Sequence, residues 1–524
     1  MRGWKKKVFA YVLAAVMGLS LAACGQSGKE YDDKSAYEEL LQETEKKNEG
    51  LKAPESIPDE YFYQPEQGKE VFGGADLDLW RASKEQKEMA PWVSREDAEQ
   101  ELSWLLRLLR TYYGNYGRGG GDEAFEAAVK NVLEGFAGND RMEWGAYGEL
   151  LSEEFAFATE KDRHFSIGFT LAEESCLLGS QEVSFWKSGG KYYMDKECTK
   201  EIKKVGGKAP ETYLRPSIGP EGEFTWYPYI VGKPGEQSRE LEIEYAEETL
   251  FSQKTKKKTL SLTETDYLEG EGEADQEEKN KEKGNKESGI YQYEERDGIP
   301  WIKWNKFPLP EKDSAQEFIA SASKIKTYPY AVIDLSDNGG GEERTLRGWF
   351  EEYTGRLHAP HFNMLERVKT EELLTEEEDR EAREADREMY RQMGQTEENG
   401  YNVIRQKKRE PLENSQQLFL VTSRRSASCA EMMTDSCRGI EHTVVIGADT
   451  WGCLSGDVTE FVWMPASGIP LSFGPRLFQW DDSYFKEGRG LAPDIYLTGE
   501  NCEERLELFL DKYAEKEEEA ADGQ

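Results

Sequence analysis

The chain has 524 residues, 33% of them charged, and its formal net charge is −37 at pH 7. A surface this acidic would repel the phosphates of nucleic acid, which argues against a nucleic-acid-binding protein. The length allows two or three domains, and 12% aromatic residues supply bulk for their cores.

The first 23 residues have the pattern of an export signal. A positive flank, Arg2 to Lys7, precedes an apolar stretch, Val8 to Ala23, that is short for a membrane span. It ends in Leu21-Ala22-Ala23-Cys24, which resembles a bacterial lipobox and predicts cleavage before Cys24 and lipidation of that cysteine. An ordinary cleaved signal peptide or a short anchor are the alternatives. We expect a protein outside the cytoplasm, lipid-anchored to the bacterial cell membrane.

Loss of residues 1–23 would remove four positive charges and move the formal charge from −37 to −41. Such a body should be held away from an anionic membrane and tethered only by its lipid. The other six cysteines show neither paired metal-ligand spacing nor a disulfide framework, and the chain has only four histidines. The sequence therefore predicts no metal and no cofactor.

The first half of the chain divides by composition. Residues 24–90 are polar without a sustained period, which predicts a tether. Ser94 to Asp97 resembles a capping box and opens an N-terminal helical region over residues 91–178. Residues 181–268 carry short strand patterns between glycine turns, which predicts a small β-rich module. Residues 269–288 are almost wholly charged or polar and predict a disordered linker.

Residues 289–500 alternate strand and helix patterns, which indicates an α/β core. Tyr330 to Leu335, Leu418 to Thr422 and Thr443 to Ile446 are its predicted buried strands. A charged helical insertion interrupts the core at residues 366–410. An acidic helix is predicted over residues 501–524.

Three glycines follow the first of these strands directly, at Asn338-Gly339-Gly340-Gly341. Glycine can adopt positive φ, so such a segment can turn several N–H groups toward one point and hold an anion. By itself the pattern indicates no more than a tight turn.

A hydroxyl among small residues, at Ser426-Ala427-Ser428-Cys429, stands where a helix pattern begins. The helix N-terminus favours developing negative charge, and the Cys429 N–H could complete an oxyanion site with Gly339, Gly340 and Gly341. Peptide cleavage by serine needs both an oxyanion site and a nucleophile, so the two segments together favour hydrolysis. Cys429 as the nucleophile, or a small-residue helix cap, are the alternatives.

The order of these segments resembles the C-terminal processing (tail-specific) serine peptidases. The resemblance covers roughly residues 94–500 and includes Asp162-Arg163-His164, Val445 to Gly452 and Gly490 to Ile495. It implies a ClpP/crotonase-like catalytic core with Ser428 as nucleophile. It also implies a PDZ-like module at residues 181–268, where the match is degenerate.

The chain departs from this family at one position. Its bacterial members carry a lysine base just after Thr-x-Gly, where this chain has Cys453, and no lysine occurs between Lys408 and Lys486. The chain is in this respect similar to the tricorn-protease-like branch, which uses serine, histidine and glutamate. That similarity implies His164 as the base and Glu487 as the residue that orients it.

Asp481 and Asp482 compete with Glu487 for the orienting role, and a structural His164 is an alternative to a catalytic one. The remaining histidines, His358, His361 and His442, are expected on the surface.

The resemblance implies a serine endopeptidase acting on peptide or protein substrates. Two other functions stay open: a catalytically inactive relative that binds peptides or envelope components, and a crotonase-like acyl-thioester enzyme. The missing lysine favours the first of these, whereas export away from acyl-CoA speaks against the second.

Overall fold

The computed structural model describes residues 31–86, 91–169, 175–249, 252–267, 289–373, 377–408, 410–457 and 460–522. The predicted signal peptide, Cys24 and the linker at 269–288 lie outside these residues. Within these ranges no helix has the length and apolar character needed to cross a bilayer.

The helices occur mainly in the N-terminal third and between the core strands. They are α1 (Asp33–Glu49), α2 (Gly74–Ala82), α3 (Arg95–Tyr112), α4 (Gly121–Glu134), α5 (Trp144–Glu154), α6 (Ala156–Thr159), α7 (Asp313–Ile325), α8 (Glu343–Thr354), α9 (Glu377–Gln392), α10 (Cys429–Cys437) and α11 (Cys502–Asp522).

The strands of the N-terminal half are β1 (Trp92–Ser94), β2 (Arg141–Glu143), β3 (Ser166–Ile167), β4 (Leu177–Gly179), β5 (Trp186–Ser188), β6 (Lys191–Tyr193), β7 (Lys200–Val205), β8 (Leu214–Ile218), β9 (Phe224–Val231), β10 (Ser238–Thr249) and β11 (Ser252–Glu264). Those of the C-terminal half are β12 (Tyr291–Arg296), β13 (Ile299–Trp304), β14 (Tyr330–Asp334), β15 (Asn363–Arg367), β16 (Thr396–Glu398), β17 (Tyr401–Ile404), β18 (Gln417–Thr422), β19 (Thr443–Gly447), β20 (Glu460–Trp463), β21 (Pro470–Phe473), β22 (Arg476–Gln479) and β23 (Ile495–Tyr496).

A single 14-stranded sheet runs through the molecule in the order β12-β13-β14-β18-β19-β23-β8-β9-β4-β11-β10-β7-β6-β5. The strands from β13 to β23 are parallel, and helices such as α7 and α10 connect them, as the alternating pattern predicts. The α/β fold class is therefore confirmed.

The β-rich module joins the core through the pair Tyr496↔Ser217 between β23 and β8. The module and the core thus share one sheet and one apolar cluster, which includes Trp226, Val421 and Phe509. A PDZ-like identity for this module stays a prediction.

The N-terminal helices pack around their own aromatic core and also receive a hairpin from the C-terminal half. Ser94 caps α3 by accepting a hydrogen bond from the Asp97 N–H at 3.0 Å, as the sequence indicates. Leu102, Leu105 and Leu109 are fully buried in a cluster that also contains Leu471 of β21. This contact brings the end of the helical region against the catalytic domain.

The segment predicted as a polar tether is folded from Tyr31 onward. α1 buries Tyr37 and Leu40, and the Tyr37 ring meets Phe509 edge-on at 5.2 Å. Lys47 Nζ lies 2.9 Å from the buried carboxylate of Asp494. An isolated helix with so few apolar residues would be marginal in water, so its stability comes from docking on the core.

The charged insertion at 366–410 contains α9, as predicted, and a hairpin that the sequence analysis did not predict. β16 and β17 pair with β15 and β22 in a four-stranded sheet. The insertion is therefore attached to the catalytic domain by strand pairing as well as by α9, whose Asp386 meets Arg347 at 2.7 Å.

Candidate active site

Three parallel strands deliver the predicted site segments to one edge of the sheet. β14 ends before Asn338 to Gly341, β18 before Ser426 to Cys429, and β19 before Thr450 to Cys453. Because the carboxyl ends of parallel strands meet at one edge, segments distant in sequence converge there.

The glycine loop fits closely against the serine segment. A Cβ on Gly340 would stand 2.7 Å from the Ser428 Cβ and 3.1 Å from the Cys429 nitrogen, so only glycine permits this approach. Asn338 holds the loop in place: its backbone oxygen accepts the Ala427 N–H at 3.0 Å, and its side-chain oxygen accepts the Gly340 N–H at 2.8 Å.

The predicted oxyanion donors are not equivalent. Since the Gly340 N–H is donated to Asn338, it is occupied. Among the hydrogen bonds of the described residues, the N–H groups of Gly339, Gly341 and Cys429 are not engaged. These three remain to receive an oxyanion, whereas Gly340 serves the close approach.

Ser428 has a backbone conformation that L-residues rarely adopt, with φ 55° and ψ −118°, immediately before α10. Such an outlier costs about 1–3 kcal/mol and persists only where the surrounding structure fixes it. Here it turns the hydroxyl out of the helix, as the strand-to-helix turn of a nucleophilic serine does.

His164 reaches this hydroxyl from 264 positions away. Its Nε2 lies 3.1 Å from Ser428 Oγ, within the range for proton transfer between a base and a nucleophile. The pairing that the resemblance implies is therefore present in the structure.

A strand pair carries His164 into place. β3 begins two positions after His164 and pairs with β21, and Ser472 Oγ of β21 donates to the His164 backbone oxygen at 2.8 Å. Asp162 fixes the other side: its Oδ1 accepts the His164 N–H at 3.0 Å and lies 3.9 Å from the ring Nδ1. Asp162 is fully buried, and Tyr113 and Asn115 donate to its second oxygen, each at 3.1 Å.

Glu487 lies beside the histidine segment without contacting the imidazole in the hydrogen bonds of the described residues. Its Oε1 accepts the Arg163 N–H at 2.7 Å, and its Oε2 accepts the Ser455 N–H at 2.9 Å. It therefore braces the backbone next to His164 against the segment after Cys453. Its competitors Asp481 and Asp482 are exposed.

Burial shifts the proton affinities of these groups. It lowers the pKa of His164 to about 4, so the imidazole is neutral at pH 7 and able to accept a proton. Burial also raises the pKa of Asp162 to about 7. Burial first, and then the charge of Asp162, raise the pKa of Glu487 to about 8.

Glu431 is a site residue whose role the sequence analysis did not recognise. It is fully buried on α10, where its Oε2 accepts the N–H groups of Ser428 at 3.0 Å and Cys453 at 2.8 Å. Its Oε1 accepts the Thr450 hydroxyl at 2.5 Å and the Gly452 N–H at 2.8 Å. One carboxylate thus joins the nucleophile to the Thr-x-Gly segment.

The position of the family lysine holds a buried thiol. Burial raises the pKa of Cys453 well above its usual range, so this side chain stays neutral and offers no base. The thiol of Cys429 is also buried and donates to the Gly341 oxygen at 2.9 Å, which makes it a packing neighbour of Ser428.

The expectation that the remaining histidines lie on the surface is wrong for His358, which is 1% exposed and lies 3.4 Å from Glu343. His361 is partly buried and its Nδ1 lies 2.9 Å from Asp435, whereas His442 is exposed as expected. Across the described ranges, no group of three histidine, cysteine or acidic residues is arranged to hold a metal ion.

A cleft of about 910 Å³ opens beside the catalytic segment, a volume that would accommodate several residues of a bound chain. Arg163 and Glu487 line it, so it reaches the immediate neighbours of His164. Its walls mix both signs of charge, through Glu149, Glu153, Glu160, Lys486 and Arg489.

Several solved structures are similar in arrangement at low identity. Mature CPAF matches at 14% identity with a TM-score of 0.39, covering 80% of this chain and 95% of that one. A putative peptidase from Parabacteroides merdae matches at 12% and 0.37, covering 80% and 97%. The photosystem II D1 C-terminal processing protease matches at 12% and 0.31, covering 76% and 93%. No curated protein matches the chain by sequence.

The match to a family model covers the part of the site that lies in the C-terminal half, whereas Asp162 and His164 lie outside it. Residues 298–497 match the model of peptidase family S41, and this range contains the glycine loop, Ser428, Glu431 and Glu487. The match identifies residues 298–497 as a peptidase domain of family S41, and the class of the protein is that of a serine-type peptidase.

Proposed function

We propose that this peptidase is a tail-specific endopeptidase that acts through an acyl-enzyme on Ser428, outside the cytoplasm and anchored by a lipid on Cys24. The observation that carries the proposal is the distance of 3.1 Å between His164 Nε2 and Ser428 Oγ. No lysine is needed for this mechanism, which supports the proposal that the chain is related to the tricorn-protease-like branch.

In the proposed reaction His164 takes the Ser428 proton as the hydroxyl oxygen attacks a peptide carbonyl. The N–H groups of Gly339, Gly341 and Cys429 supply the hydrogen bonds for the oxyanion. The imidazolium then protonates the leaving amine, and water releases the acyl group by the same route.

Two carboxyl groups favour the imidazolium. Asp162 Oδ1, 3.9 Å from Nδ1, is the acceptor toward which a protonated ring would close. Glu487 acts through the backbone of Arg163 and through its charge. Asp162 is thus a positioning residue that the implied serine–histidine–glutamate set does not include.

A fluorophosphonate probe is expected to label the wild-type protein at Ser428 and to leave Ser428→Ala unlabelled, because the probe reacts with an activated serine hydroxyl. Intact-protein mass spectrometry measures the added mass. Cys429→Ala is the matched control and should retain labelling, since this thiol is protonated and buried. Equal labelling of wild type and Ser428→Ala would exclude the proposed nucleophile.

The kcat/KM for a peptide should reach its maximum only above neutral pH. His164, with its pKa lowered to about 4, is already neutral above pH 5. Asp162 and Glu487, with their pKa raised to about 7 and about 8, become charged only as the pH passes those values. Since their charge stabilises the imidazolium, kcat/KM for a peptide should increase from pH 6 to about pH 8. A profile that is flat above pH 5 would contradict this.

The same shifts predict the opposite trend for stability. A carboxyl group whose pKa is raised on folding stabilises the folded state below its unfolded pKa, and this contribution is lost as the pH rises through the folded value. The free energy of unfolding should therefore fall between pH 6 and pH 8, where activity rises. Glu487→Gln should remove the upper part of both changes.

A further inference from the structure

One end of the large sheet is rich in lysine, against the charge of the whole chain. Residues 186–210, which form β5, β6, β7 and their turns, contain seven lysines and three acidic residues. The whole chain has 67 basic and 104 acidic residues. We call residues 186–210 the lysine edge.

Much of this positive charge faces solvent. Lys191, Lys196, Lys203, Lys204 and Lys208 are exposed. Lys191 and Lys203 share the carboxylate of Glu201. Among the ion pairs of the described residues, none includes Lys196, Lys204 or Lys208. Within the part of the chain that the structure describes, no carboxylate thus lies within 4 Å of these three ammonium groups.

The lysine edge contacts Tyr31, the first residue that the structure describes. The Tyr31 N–H donates to the Lys196 backbone oxygen at 2.8 Å, and its hydroxyl donates to the Phe224 oxygen at 2.7 Å. Cys24 precedes Tyr31 by seven positions, and seven residues span at most about 25 Å even when fully extended. A lipid on Cys24 would therefore hold Lys196 within about 25 Å of the bilayer surface.

We infer that the lysine edge rests on the anionic phospholipid headgroups of the membrane that holds the anchor; this inference depends on the anchored location proposed above. Ammonium groups pair with headgroup phosphates, and each lysine near an anionic surface strengthens binding about fivefold. The acidic remainder of the body is repelled by the same surface. The two effects together orient the peptidase, with the lysine edge toward the membrane.

Vesicle cosedimentation tests this with the unlipidated chain that begins at Cys24, which keeps every contact described here because all of them lie at or after Tyr31. The vesicles are phosphatidylcholine with or without phosphatidylglycerol. The wild type should bind phosphatidylglycerol vesicles preferentially at low salt and be released at about 1 M salt, where the Debye length is about 3 Å.

A matched pair of variants locates the surface. The triple change Lys196→Gln, Lys204→Gln and Lys208→Gln should weaken binding about 100-fold, at about fivefold for each lysine. The control Lys306→Gln, Lys407→Gln and Lys408→Gln removes the same charge from exposed positions elsewhere and should change binding less than threefold. A midpoint of thermal unfolding equal to that of the wild type confirms that each variant is folded.

Three results would overturn the inference. The first is wild-type binding that does not depend on phosphatidylglycerol, and the second is equal loss in the two triple variants. The third is binding to soluble polyphosphate without binding to vesicles, which would assign the edge to a surface polymer in place of lipid. Neither hydrolysis nor acylation enters the assay, so failure of the proposed function is detected separately, by the probe at Ser428.

Discussion

Replacement of His164 by alanine is expected to lower kcat/KM for a peptide substrate about 10³-fold, because a positioned general base contributes roughly 10² to 10⁴ in rate. The structure offers few other side chains that could act as the base in place of His164. The buried thiols of Cys429 and Cys453 are protonated, and no lysine lies between Lys408 and Lys486. Steady-state hydrolysis of a quenched fluorescent peptide measures the effect.

His442→Ala is the matched control, since His442 is exposed and precedes the amino end of β19, whereas the site segments follow the carboxyl ends of the strands. It should keep full activity. Because the His164 ring is buried, thermal unfolding of His164→Ala must be compared with wild type to separate lost catalysis from lost folding. A folded His164→Ala variant within twofold of wild type would refute the role of the imidazole.

Local patterns predicted the catalytic strands well. Tyr330–Asp334, Gln417–Thr422 and Thr443–Gly447 are the observed strands, each within one residue of the predicted bounds. These are continuous apolar runs that end at glycine or small polar residues, so both the buried parallel strand and its end are visible in the sequence.

The convergence of His164 on Ser428 could not be derived from local patterns. It depends on the pairing of β3 with β21, which joins residues about 300 positions apart through only two residue pairs. No periodicity encodes a contact of this kind. The resemblance to a family supplied it, and the geometry then placed the two side chains together.

The local sequence pattern of residues 33–49 does not predict the helix observed there. Residues 33–49 have a weak apolar stripe, so composition indicates a tether. The helix forms because Tyr37 finds Phe224 and Phe509, which belong to a strand and a helix much later in the chain. The tertiary environment decides such elements, and the sequence window alone does not contain it.

The capping-box spacing of Glu431 can be recognised in the sequence, but its role in joining two site segments cannot. The sequence places it three positions after Ser428, the spacing of a capping box. Its second set of partners, in Thr450 to Cys453, appears only when β18 and β19 align in parallel. Glu431 can be assigned to the site only when its bond to the Ser428 N–H and its bonds to Thr450–Cys453 are both known.

Glu431→Gln is therefore expected to impair folding and catalysis together. The carboxylate accepts four donors on two oxygens, and glutamine would set an NH₂ group against two of them. Burial raises the pKa of Glu431, while these donors favour its charged form. Loss of such a buried, charge-assisted set should cost about 3–5 kcal/mol in the free energy of unfolding.

The catalytic part of the effect follows from the strained backbone at Ser428. Without the Glu431 bond to its N–H, the residue can relax from φ 55° toward helical values and turn its hydroxyl away from His164. Under conditions where the variant is still folded, its fluorophosphonate labelling should slow at least tenfold. Glu351→Gln, an exposed change on α8, is the control and should alter neither quantity. Normal labelling by a destabilised Glu431→Gln variant would show that the carboxylate supports the fold alone.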